Sequence, residues 1–144
     1  MNLSKYFTLE EMYQSETAIR KGIDNYPYGE PLFNLKKLCL NLLDPLRDQI
    51  KQPIYVSSGF RCVKVNAAIG GAKNSQHTKG LAADIKVSGM SVENFYQFIK
   101  NSGLKYDQLI QEFDAWVHIS YSDTPRGECL RATKQNSKTV YTKD

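Results

Sequence analysis

Long apolar runs are missing from this sequence. No stretch approaches the ~20 apolar residues of a membrane-spanning helix, and Met1-Asn2-Leu3-Ser4-Lys5 leads into no apolar segment of the secretory kind. The chain therefore reads as cytoplasmic as synthesised, with no membrane insertion. Paired cysteines are missing too. Cys39, Cys62 and Cys129 form neither a CxxC spacing nor an even set, which argues against a disulfide framework and for reduced thiols. Dense Lys/Arg blocks are absent, and the formal charge of +4 is modest. A nucleic-acid partner is excluded for want of a basic and aromatic footprint, whereas a partner with an anionic surface stays compatible. Histidine is scarce: the 144 residues hold only His77 and His118.

What is present fits one domain over residues 1–144 of the α+β class, expected to be a monomer. Thr8-Leu9-Glu10-Glu11 has the form of a capping box and opens a helix over about Leu9–Ser15. Thr17–Lys21 reads as a second helical turn and Gly22–Gly29 as loop. Pro31 begins the longest helical pattern, with Leu32, Leu35, Leu38, Cys39, Leu42, Leu43, Leu46 and Ile50 at spacings of three and four. Pro45 should kink it. Strands are expected at Ile54–Ser57, Leu81–Val87, Tyr106–Phe113 and Trp116–Tyr121. A last hairpin, Cys129–Thr133 with Thr139–Tyr141, should turn at Gln135-Asn136-Ser137. Shorter helices fall at Val63–Ile69 and after Ser91, the latter with Phe95, Phe98 and Ile99 inward. N-terminal helices then pack on a central, mainly antiparallel sheet.

The stretch Ser75-Gln76-His77-Thr78-Lys79-Gly80-Leu81-Ala82-Ala83-Asp84-Ile85 holds the most chemistry. Asp84 sits inside an apolar strand, where a carboxylate is costly unless paired or bound to a metal. His118 lies in a second apolar strand. Two imidazoles and one carboxylate, with a fourth position left to water, are the usual protein share of a catalytic zinc site. The same residues also read as core side chains satisfied by ordinary hydrogen bonds. Residue types and spacing leave both readings open.

The motifs Ser58-Gly59-Phe60-Arg61, Val65-Asn66, Gly70-Gly71-Ala72, the Ser75–Ile85 stretch and Trp116-Val117-His118-Ile119-Ser120 together resemble the D-Ala-D-Ala carboxypeptidase family of zinc peptidases, which includes small single-domain carboxypeptidases and phage endolysin-like endopeptidases of peptidoglycan. The motifs span about residues 52–121. The resemblance implies Zn²⁺ held by His77, Asp84 and His118, with Arg61 and Ser75 on the substrate side. It implies hydrolysis of a peptidoglycan stem or cross-link peptide by a metal-activated water, at an unspecified bond. It also makes a phage or prophage origin, with release to the wall by other means, a natural context.

The chain departs from the family at the general base. Many members carry Asp or Glu three residues before the last histidine, and Ala115 stands there. Glu112 and Asp114 remain as catalytic carboxylates. If Phe113-Asp114-Ala115 is a hairpin loop, Glu112 pairs with Trp116 and shares a sheet face with His118. Glu112 is then preferred, and a one-residue slip in register moves the choice to Asp114. The missing acid also leaves open a non-catalytic wall-binding or structural module that keeps the zinc fold.

Overall fold

Short local signals set the helices. The computed structural model describes residues 1–144. The Glu11 N–H donates to Thr8 Oγ1 at 3.2 Å and the Thr8 N–H donates to Glu11 Oε1 at 2.7 Å, so a capping box opens α1 (Leu9–Tyr13). Ser15 caps α2 (Glu16–Lys21), and Gly22, at φ 63°, ends it. Pro31 occupies the first turn of α3 (Glu30–Leu38), which continues through a π-helical turn (Cys39–Leu43) into α4 (Asp44–Ile50). The disturbance expected at Pro45 takes that form. Proline has no N–H for the preceding turn and crowds the carbonyl there, and a locally widened turn absorbs both defects. Leu35, Leu38, Cys39, Leu42, Leu43 and Leu46 are wholly buried along one side of this helical unit.

Six strands form one sheet: β1 (Ile54–Ser58), β2 (Ala82–Val87), β3 (Gln108–Glu112), β4 (Trp116–Ser120), β5 (Glu128–Gln135) and β6 (Lys138–Lys143), in the order β1-β2-β4-β3-β5-β6. Every neighbouring pair is antiparallel except β3–β5, which is parallel. Residues 121–127 carry the chain from β4 past β3 to its far edge. The molecule is α+β with a mixed sheet. β2 starts at Ala82, one residue later than expected, and β3 is shorter at both ends. The last hairpin is longer than expected, because Asn136 and Ser137 take positive φ (52° and 65°) and pair the strands up to the turn.

Side chains alternate across the sheet. Ala83, Ile85 and Val87 of β2, Leu109 of β3, and Val117 and Ile119 of β4 join the core with the helices. α6 (Val92–Lys100), capped by Ser91, contributes Phe95, Tyr96 and Ile99. Tyr96 takes the inward place expected for Phe98, which is only half-buried. The opposite face of the sheet carries Asp84, Glu112, Trp116 and His118. α5 (Val63–Ala68) and a 3₁₀ turn (Gln76–Lys79) come from the segment between β1 and β2. The three cysteines are free, and no helix is long and apolar enough to cross a membrane.

Candidate metal centre

The register of the sheet assembles most of the centre. Asp84 on β2 lies directly opposite His118 on β4. His118 is opposite Ile110 on β3, and Glu112 is opposite Trp116, so Glu112 is one pair along from His118 on the same face. The turn between β3 and β4 holds Phe113 and Asp114 at positive φ (59° and 55°), which fixes this register.

His77 arrives from the 3₁₀ turn, which is tied down at several points. Ser75 Oγ accepts from the His77 N–H at 3.2 Å, and Gly80 closes the turn at φ 75°. Gly80 also lies close under α3, because a Cβ there would meet the Pro31 carbonyl oxygen at 2.4 Å. Gln76 donates to Asp107 Oδ2 at 3.0 Å, and Arg126 grips the same buried carboxylate through two bonds of 2.9 and 2.8 Å. The Arg61 N–H donates to the His77 carbonyl at 3.1 Å.

The segment beside His77 is clamped by Asn25, a buried residue in a stretch whose sequence reads as loop. Asn25 donates to the carbonyls of Tyr13 and Phe60 at 2.6 and 3.1 Å and accepts from the Cys62 N–H at 2.7 Å. Gly59 lies against the end of α1, where an added Cβ would come within 2.2 Å of the Met12 carbonyl oxygen. Its own carbonyl oxygen is 2.7 Å from His77 Nδ1.

That last contact settles the imidazole. A carbonyl only accepts, so Nδ1 carries the proton and donates. Nε2 is then left with its lone pair, 3.2 Å from Asp84 Oδ1. The same carboxylate oxygen is 3.2 Å from His118 Nδ1. The three residues are 3%, 7% and 7% exposed for His77, Asp84 and His118, so water does little to separate these groups. A lone pair facing a carboxylate at that distance calls for a cation between them, either a second proton or a metal.

The geometry suits a small metal ion. One nitrogen from each histidine and one Asp84 oxygen lie within 4.8 Å of one another. Zinc bonds of ~2.0–2.2 Å at tetrahedral angles place ligand atoms ~3.3–3.6 Å apart, close to the two 3.2 Å separations at Asp84. The Gly59 carbonyl behind His77 stands where the outer partner of a metal-binding imidazole would, and sequence alone offers no sign of it.

Electrostatics separate the two carboxylates. Burial raises the Asp84 pKa, and with a second proton on the imidazoles His77 and His118 outweigh it and hold Asp84 well below the usual carboxylate range. Glu112 is raised, first by burial and then by repulsion from Asp84, with His118, Trp116 and Arg61 pulling partly back. Its Oε1 is 3.7 Å from His118 Nδ1. The Trp116 indole N–H favours the charged Glu112 but stops short of hydrogen-bond geometry and is left buried without a partner.

Asp114 stands apart from this group. It is exposed at the turn, where its N–H donates to Gln111 Oε1 at 2.9 Å and its carboxylate accepts from Gln111 Nε2 at 3.3 Å. Arg61 borders the same cavity as the three residues of the cluster. Burial lowers its pKa, and Asp84 and Glu112 oppose that shift. Its Nε is buried without a partner, and Nη2 reaches Ser75 Oγ at 3.4 Å. Tyr141 on β6 lines the cavity as well, and sequence reading assigned it no part there.

Comparison with known proteins is consistent with this geometry. A family described as Peptidase M15 matches residues 5–120. A zinc D-Ala-D-Ala carboxypeptidase of Streptomyces albus G is 40% identical over 52 residues, which is 36% of this chain. The match spans only 20% of that protein's length.

Proposed function

The chain belongs to the Peptidase M15 family, and from that premise we propose that it is a zinc-dependent peptidase of peptidoglycan stem or cross-link peptides. The observation that carries this reading is the placing of His77, with Nδ1 held by the Gly59 carbonyl and Nε2 aimed at the Asp84 oxygen that also faces His118. His77, Asp84 and His118 would hold the ion. When bound, zinc supplies Lewis acidity and brings the pKa of a water down to about 7.

The chain's own groups divide the remaining work. Glu112, with its raised pKa and its place beside His118, takes the proton from the attacking water and passes it to the leaving amine. Arg61 brings a cation with an unused N–H to the carbonyl oxygen as negative charge develops there. Ser75 steadies both the turn that carries His77 and the Arg61 guanidinium. Core strands on β2 and β4 hold Asp84 and His118 rigidly, so little reorganisation is needed on binding.

Ala115 supports a second reading, a wall-binding or structural module without turnover. Loss of turbidity of a cell-wall suspension with added Zn²⁺, set against the same assay in EDTA, separates the two. Solubilisation that EDTA stops supports the peptidase. Wall binding without solubilisation at full zinc occupancy supports the module.

A further inference from the structure

Two cavities meet at Asp84. One, of about 490 Å³, runs toward α2 and β1 between Thr17, Ile19, Arg20, Tyr55 and Ser57. The other, of about 750 Å³, runs toward the last hairpin between Ile110, Phe113, Leu130, Lys134, Thr139 and Tyr141. Arg61, Ile69, Asp84 and Trp116 border both. Each falls within the roughly 300–1,000 Å³ of ordinary ligand sites. These four residues are therefore the waist of a groove, with His77 and His118 beside it in the larger cavity.

Three features of the groove bear on what it admits. Its outer parts are lined by exposed side chains, with Ile19 80% and Tyr55 61% accessible on one side and Tyr141 55% on the other. A terminal carboxylate is bound most strongly by a desolvated cation such as a buried arginine. Arg20 and Lys134, the cations of the two outer parts, are exposed, and the partly buried Arg61 is at the waist. Finally, Arg61 Nε and Trp116 Nε1 are buried N–H groups at the waist with no partner in the protein. A peptide drawn through the waist brings the carbonyls that such donors need.

We propose that the two cavities are substrate half-sites on opposite sides of the cut, so that the bond broken is internal to a peptide. This rests on the peptidase reading above. Water adds across the amide: its oxygen goes to the acyl carbon, its proton goes to the departing amine, and two shorter peptides leave. One wall of the second half-site comes from β5 and β6, which lie beyond residue 120, where the family match ends. Leu130, Lys134, Thr139 and Tyr141 line that side of the groove.

The test uses the full chain loaded with zinc and a synthetic stem pentapeptide in four forms. One has a free carboxylate, one is its C-terminal amide, and two are lengthened by several residues on the amine side only or the acid side only. Each lengthening should raise kcat/KM about tenfold, and the amide should be cut nearly as well as the acid. Tyr55→Ala should erase the gain from one lengthening and Tyr141→Ala the gain from the other. Calorimetry with each tyrosine substitution added to Glu112→Gln should show the same side-specific losses as weaker binding. Cleavage restricted to a free C-terminal residue, or no gain from lengthening on one side, overturns the two-sided groove and leaves the peptidase standing. No cleavage of any form, with no wall solubilised, sinks the peptidase reading itself.

Discussion

His77 Nδ1 donates to the Gly59 carbonyl over 2.7 Å, and through that bond a backbone turn between β1 and α5 decides which histidine nitrogen faces Asp84. The turn is held in place by the close approach of Gly59 to Met12 and by the 2.7 Å bond from the Phe60 N–H to the Met12 carbonyl.

Gly59→Ala is therefore expected to be costly although its backbone needs no positive φ. The added methyl has no room beside the Met12 carbonyl, and relief requires moving either α1 or the His77 anchor. Overpacking of this kind costs about 1–3 kcal/mol. Chemical denaturation should show that loss, and zinc affinity should fall with it. An unchanged midpoint and unchanged affinity would mean that the anchor is not needed.

Asp84→Ala should remove zinc binding. The metal binds the folded chain preferentially, so zinc should raise the Tm of the parent protein and not of the variant. Elemental analysis together with thermal scans at fixed zinc checks both. Stoichiometric zinc in the variant takes Asp84 out of the ligand set.

Glu112→Gln should keep zinc and fold while turnover falls by about 10²–10⁴, the usual share of a general base. Asp114→Asn should stay within a few-fold of the parent, because Asp114 bonds Gln111 at an exposed turn. Parallel kinetics with zinc content measured on each sample decide the matter. An active Glu112→Gln beside a dead Asp114→Asn moves the base.

Acid should loosen the hairpin through Arg131. This side chain makes two bonds to Glu93, at 2.7 and 2.8 Å, and reaches Asp144 at 3.2 Å. The Arg131 bonds bring the Glu93 pKa to about 2, and Tyr96 followed by Arg131 brings Asp144 to about 2. Both folded values lie below the ordinary ~3.9–4.3. Their contribution is thus complete above that range and is lost as pH falls toward 2. Arg131→Gln should lower stability at pH 7 by about 1 kcal/mol, as fits a partly exposed network. The gap should close by pH 2. Circular dichroism melts across that range measure it, and a gap independent of pH would contradict the assignment.

Much of the architecture was legible because its signals are local. The Thr8–Glu11 box, the Ser91 cap and the Pro31 start are spelled out within four residues of each other. The Glu112–Trp116 pairing followed from the hairpin loop Phe113–Ala115, and with it the placing of Glu112 on the His118 face. What stayed hidden depends on distant chain. The parallel docking of β5 on β3 leaves no periodic mark, and the sheet read as more uniformly antiparallel than it is. The Gly59 carbonyl is backbone, with no residue type to announce it. Asn25 looks like any loop asparagine until Tyr13, Phe60 and Cys62 close around it. Tyr141 enters the cavity only because small Ala132 lies between it and Glu112 in the strand order.

The seam between β3 and β5 has a practical meaning for diversification. The β5–β6 ribbon joins the rest of the sheet along that single edge, while His77, Asp84 and His118 belong to a turn and strands on the other side of it. A graft that swaps the outward residues of the ribbon, or lengthens its tip at Asn136-Ser137, would reshape one wall of the cavity while the His77–Asp84–His118 cluster keeps its position. The fold thus offers a cassette for retuning selectivity that is separable from the reactive centre.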